Sequence, residues 1–473
     1  MSHVLRRLVQ FAALSLLALC ACSGGAKQAA TTTTSTRASS SSSSSSSAAP
    51  GNGTWTMWGG DPTRSNVTKD GPSANGLHLA WTSPAIDGSV YGEPLVVGST
   101  VIVATDHDSV YAFDSATGAA KWQQVGLGRP VAASSLPCGD VDPVGITSTP
   151  VADPANNRVY VVGMLQPNHH ELIALDLRDG SILFRKTVDA PGADPTVHNQ
   201  RGALAFANGK VYIPFGGRFG DCGQYRGRIV AVAADGSGDP ITYTVRANRE
   251  GGFWTPPGPA VAPDGTLLVA SGNSDTTTDF DDGNAVIRLS PDLHVLDEFA
   301  PTNFAQLNGG DVDLGTTSPA LLDGNRVFQV GKSGVGYLLA ADHLGGVGGE
   351  VHQQQVCDRV MGAVAHDGAT IFAPCPSSVV VVSVTDAGFT QNWSTPIAQP
   401  GPPMVANGIV WVIDVRGGVV HALDGQSGTE VFHAPVGDVT HFSAPSEGNG
   451  FVFVAGGGNV KAFTSAGNGT PLP

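Results

Sequence analysis

The chain has 473 residues with 62 Gly and 32 Pro, so turns are frequent and long helices built from Ala, Glu, Lys and Leu are excluded. Hydrophobic residues make up 41%, enough for a sizeable core, which rules out wholesale disorder. Charged residues are only 14% and the balance is acidic, net −15, a field that repels phosphate backbones and argues against a nucleic-acid partner.

Arg6 and Arg7 precede an apolar run from Phe11 to Leu19, which has the length of a signal-peptide core and is too short to span a bilayer. The run ends in Leu19-Cys20-Ala21-Cys22, and a small residue directly before Cys22 resembles the bacterial lipoprotein cleavage box. Residues 1–22 are therefore expected to be a lipoprotein signal with Cys22 lipidated; a plain secretory signal cut nearby is the alternative. Either way export is expected, with the lipid holding the chain on the outer face of the cytoplasmic membrane or the periplasmic side of the envelope. Residues 23–53 are Ser, Thr, Ala and Gly with almost no bulky side chains, the composition of a disordered tether.

From Trp55 the chain repeats every 40–60 residues. One unit runs Glu93-Pro94-Leu95-Val96-Val97, Val101-Ile102-Val103-Ala104, Val110-Tyr111-Ala112-Phe113-Asp114, then Thr117-Gly118 and Lys121-Trp122. Each piece is a short run of β-branched and aromatic residues bounded by Gly, Pro or Asp. Seven further copies follow, among them Val159-Tyr160-Val161-Val162, Val410-Trp411-Val412 and Val452-Phe453-Val454. Four short antiparallel strands per unit, eight times over, predict an all-β, eight-bladed β-propeller across residues 54–473. The eighth copy stops near Gly467, before its outermost strand. Leu77-His78-Leu79-Ala80-Trp81 matches Ala119-Ala120-Lys121-Trp122, so this N-terminal strand is expected to complete blade eight and clasp the two chain ends.

Excess length falls in residues 136–145, 216–228, 271–284 and 303–314, each before a blade's first strand or between its second and third. In a four-stranded antiparallel blade both kinds of loop emerge on one face, where function tends to lie. Cys357 and Cys375 sit almost opposite one another in a single hairpin of blade six and are expected to be bonded, since export permits disulfides. Cys138 and Cys222 lie in insertions of neighbouring blades and pair by elimination; a metal or catalytic role is disfavoured by the lack of a close His or Cys partner.

The Asp-x-x-x-Gly-x-x-x-Trp endings, the Val-Tyr-Ala-Phe-Asp strands and the opening Trp55-Thr56-Met57-Trp58-Gly59-Gly60 resemble the pyrroloquinoline-quinone (PQQ) repeat. That repeat occurs in quinoprotein dehydrogenases and in the propeller lipoprotein of the outer-membrane β-barrel assembly machinery. The first resemblance implies a PQQ and Ca²⁺ site. Gly251-Gly252-Phe253-Trp254 resembles the segment whose Trp stacks on the cofactor, and Ser271-Gly272-Asn273 the strand end with a Ca²⁺-binding Asn. Asp311-Val312-Asp313 resembles the segment with the catalytic Asp, with Asp313 the better fit and a Ca²⁺ ligand as well; Gly331-Lys332-Ser333-Gly334 resembles the turn whose basic residue reaches the quinone. The family's adjacent Cys-Cys pair is absent, there is no Cys-x-x-Cys-His haem motif, and its Glu ligand has no clean counterpart, Asp221 being offset by about one residue.

A bland reading stands beside each feature. Trp254, Asn273 and Lys332 could be inherited packing residues. Asp279, Asp281 and Asp282 read as a solvated acidic loop rather than a Ca²⁺ site, and His169-His170-Glu171 as a hairpin tip rather than a zinc site. The favoured expectation is an exported, lipid-anchored, monomeric propeller without cofactor. It would bind an envelope protein, peptide or small ligand on its loop-rich face and meet the membrane through its anchor. The alternative is a PQQ- and Ca²⁺-dependent dehydrogenase of an alcohol or sugar.

Overall fold

The computed structural model describes residues 54–465; the signal segment, Cys22 and the tether lie outside the described residues. Eight small sheets of four or five strands form the predicted eight-bladed propeller. Blade one consists of Leu95–Val97, Thr100–Ala104, Val110–Asp114 and Ala120–Gln124, paired antiparallel in that order from the axis outward, with Thr54–Trp55 added on the inside. Among the described residues the helical segments are short, the α-helix being Phe304–Gly309, and no helix is long and apolar enough to cross a membrane.

Burial explains the strand sequences. Middle strands are covered by neighbouring blades on both faces, so Val101, Ile102, Val103 and Ala104 are all buried and the run is continuously apolar. Outermost strands face solvent on one side, and Glu430–Pro435 alternates accordingly between exposed and half-buried positions. The core is thus a ring of interblade layers. Leu95, Ile102 and Val110 of blade one pack with Val159, Val161 and Ile173 of blade two, and the same pattern repeats between blades two and three.

The ring closes as expected. His78–Thr82 pairs antiparallel with Asn459–Thr464, with Leu79 opposite Phe463 and Trp81 opposite Ala462. The indole of Trp81 then reaches into blade one, its Nε1 donating to the carbonyl of Ser115 at 3.1 Å.

Residues 55–68 do more than open the chain. Their carbonyls accept from the inner strands of four blades: Thr56 from Ala152, Pro62 from Val261, Ser65 from His366 and Asn66 from Val405, at 2.7–2.9 Å. Arg64 is buried, and its guanidinium donates to the carbonyls of Pro259, Trp58 and Leu204 at 2.9–3.0 Å. The segment fills the axis, bonded to the innermost strands and to the residues just before them.

Candidate functional site

All four resemblance-derived residues come from loops on the insertion-bearing face. Trp254 precedes the inner strand of blade four, Ala260–Val261, and Asn273 follows its second strand, Leu267–Ala270. Asp313 precedes the inner strand of blade five, Ala320–Leu322, and Lys332 lies in the turn between Arg326–Val330 and Val335–Ala340. The Asn273 backbone N–H donates to Asp313 Oδ1 at 2.7 Å, and Lys332 Nζ lies 2.7 Å from Asp313 Oδ2 and 2.8 Å from Asp311 Oδ1. Gly272 allows the close approach of Trp254. A Cβ there would stand 2.6 Å from Asp313 Oδ1 and 3.2 Å from Trp254 Nε1, so the carboxylate and the indole flank a position that only hydrogen can fill. The Trp254 ring is half-buried and packs at 6.4 Å against Phe442.

Glu250, which the sequence reading passed over, completes the cluster. Its Oε2 accepts from Asn273 Nδ2 at 3.1 Å, and its own N–H donates to the carbonyl of Tyr225 at 2.8 Å. It stands one position before the Gly251-Gly252-Phe253-Trp254 motif, in a left-handed conformation (φ 71°) that a side chain rarely adopts. Asp221, weighed in its place, instead accepts from the Tyr225 hydroxyl at 2.6 Å.

The electrostatics follow from burial. Asp313 is 4% exposed, and burial raises its carboxyl pKa while Lys332 pulls it back down. Burial opposes the charge on Lys332, yet Asp313 and Asp311 outweigh it and raise the ammonium. Burial raises Glu250 too; Arg249 opposes this, and Asp221, Asp275 and Asp311 reinforce it. The spot thus brings two carboxylates and an amide together, with Lys332 beside Asp313 and Arg249 2.9 Å from Glu250 Oε1. That is a hard donor set of the kind Ca²⁺ takes, so the residues present fit the ion the resemblance implies. Among the described residues no group of three or more His, Cys, Asp or Glu is arranged for a metal; the set here has two carboxylates and one amide.

Comparison with known proteins agrees with the propeller fold. A repeat-family model described as outer membrane protein assembly factor BamB matches residues 73–141. The chain resembles the PQQ-repeat propellers. A polyvinylalcohol dehydrogenase of Pseudomonas sp. is 26% identical over 339 residues, covering 62% of this chain and 50% of the relative. A second, from Sphingopyxis sp. (strain 113P3), is 25% identical over 240 residues, covering 46% and 34%. The chain thus spans half or less of these relatives. Among solved structures, a quinohemoprotein alcohol dehydrogenase of Pseudomonas putida HK5 superposes with a TM-score of 0.69 at 16% identity, covering 90% of this chain and 82% of that one. BamB from Moraxella catarrhalis does so at 0.55 and 14%, covering 83% and 98%. At those identities the two structures show the fold.

Both disulfides form in this PQQ-repeat-like propeller: Cys138–Cys222 with Cα atoms 6.1 Å apart and Cys357–Cys375 at 6.2 Å. His170 is buried below its hairpin tip, with Nδ1 2.7 Å from Asp189 Oδ1. The acidic loop corrects an expectation. Asp282 is not solvated but 1% exposed, accepting from the Tyr243 hydroxyl at 2.8 Å and from the Arg246 N–H and guanidinium. It ties blade three to blade four, whereas Asp279 is exposed.

Proposed function

We propose that the chain is an exported, lipid-anchored, monomeric propeller that holds PQQ with Ca²⁺ on its loop-rich face and oxidises an alcohol or sugar hydroxyl. The observation that carries this reading is the convergence of Trp254, Asn273, Asp313 and Lys332 with Glu250 on one spot, although they are spread over 83 residues of sequence (250 to 332). Glu250, Asn273 and Asp313 would hold the ion, and the half-buried Trp254 offers the flat face for stacking. When bound, the quinone supplies the two-electron acceptor. Asp313, whose proton affinity burial raises, would take the substrate's hydroxyl proton, and Lys332 would hold that carboxylate in place. The names of the curated relatives make a secondary alcohol on a polymer chain the first substrate to try.

The test uses the purified full chain with PQQ and Ca²⁺, read by thermal shift and by dye reduction with polyvinyl alcohol, small secondary alcohols and aldoses. A shift that Trp254→Ala abolishes is expected, with turnover falling at least ~100-fold in Asp313→Asn, the scale of a lost general base. No shift and no dye reduction with any substrate would remove the enzyme reading.

One feature favours a second reading, a binding or scaffolding module for an envelope protein. Lys332 already neutralises Asp313, and Phe442 already packs on Trp254, so the spot is satisfied by its own residues.

A further inference from the structure

The loop-rich face carries a second concavity. A cavity of about 410 Å³ lies between blades six and seven, within the size range of small-molecule sites. Met361, Pro376, Pro400 and Phe442 give it apolar walls, and exposed Arg359 and Arg416 also line it. Neither guanidinium has a carboxylate within 4.0 Å among the described residues. Asp414 is close to Arg416, but it accepts from the backbone N–H at 3.1 Å.

A third guanidinium stands behind the same wall. Arg201 is 5% exposed, lies 5.8 Å from the centroid of Phe442 and 5.5 Å from that of Tyr91, and donates to the carbonyl of His441 at 3.3 Å. Its Nε is buried without a partner, and no carboxylate pairs with it among the described residues. Three arginines free of ion pairs thus gather around His441 and Phe442, opposed by Asp140, whose Oδ2 lies 4.0 Å from His441 Nε2.

We infer that this cavity binds a small organic anion, a carboxylate on an apolar or aromatic body. Arg359 and Arg416 take the carboxylate, since guanidinium matches its fork geometry. Phe442 and Met361 meet the body, and Arg201 adds positive potential from behind. The cavity adjoins the Trp254 spot through Phe442, but Arg359 and Arg416 take no part in the proposed quinone site, so their substitution tests this inference apart from the dehydrogenase activity.

The experiment titrates the full chain, without PQQ, with 2-naphthoate and with neutral 2-naphthylmethanol in a calorimeter. Saturable naphthoate binding is expected, about tenfold or more tighter than the alcohol, the discrimination of one charge-assisted contact. The double variant Arg359→Ala/Arg416→Ala should lose that preference while keeping the wild-type unfolding curve, because both side chains are exposed. Phe442→Ala should weaken both ligands. Absence of saturable naphthoate binding, equal affinity for the two probes, or undiminished naphthoate affinity in the double variant would each overturn the inference.

Discussion

The repeat signature has a mechanical meaning at the level of single residues. Trp122 of blade one lies over Gly180 of blade two, where an added Cβ would come within 2.5 Å of the ring, and its Nε1 donates to Leu177 O at 2.9 Å. Trp81 stands in the same relation to Gly118, and Trp393 to Gly428. The Asp of the signature closes the turn below, as when Asp114 Oδ1 accepts from the Thr117 N–H at 3.0 Å. Gly180 is thus constrained twice, by its φ of 74° and by the indole above it. Gly209, with φ 68° and nothing within 4 Å, is constrained once. Gly209→Ala should therefore cost about 1 kcal/mol from backbone strain alone. Gly180→Ala should cost about 2–4 kcal/mol, strain plus the displaced ring. Urea midpoints of the two variants measure the difference, and equal losses would mean that the Trp yields freely.

Elements were legible where they repeat and illegible where they bond across the molecule. The eight blades and the clasp at Trp81 could be read because each blade buries its middle strands the same way and so restates one apolar pattern. Residues 55–68 carry no such period. Their partners are carbonyls and N–H groups of strands up to 339 residues away, and backbone partners leave no mark on side-chain identity. Glu250 and Asp282 escaped for a related reason: each looks like an ordinary loop carboxylate until Asn273 or Tyr243, 23 and 39 residues distant, folds against it. The cysteines were readable because a disulfide needs only two positions on one face. The Cys138–Cys222 bond spans 84 residues and staples loop 136–145 to loop 216–228. Replacing both cysteines by Ser should cost ~2–4 kcal/mol and open these two loops to protease first. Limited proteolysis read by mass spectrometry checks it; cleavage starting elsewhere would show that the loops are held by other contacts.

A propeller has no central core to hold its axis, so the whole molecule depends on what fills that axis and on what joins the last blade to the first. Here one N-terminal stretch does both, with residues 55–68 plugging the channel and His78–Thr82 finishing blade eight. The plug rests against a titratable group. Glu93 is 1% exposed, and its Oε2 accepts from the Gly59 N–H at 2.8 Å. Burial pushes its carboxyl from 4.5 up to about 8, against the pull of the Trp55 side chain, the Gly59 N–H and Arg64. The folded chain therefore keeps a proton that the unfolded chain releases above pH 4.5. Stability from this group is complete below that pH, declines by ~1.4 kcal/mol per unit as pH rises, and is gone above the folded-state value. Glu93→Gln keeps a neutral amide in the same place and removes the titration. Between about pH 5 and 8, urea unfolding should show wild type losing several kcal/mol more than the variant. Parallel slopes for the two proteins would mean that Glu93 is ionised in the fold and paired with Arg64, and that the plug is held by charge rather than by a shared proton.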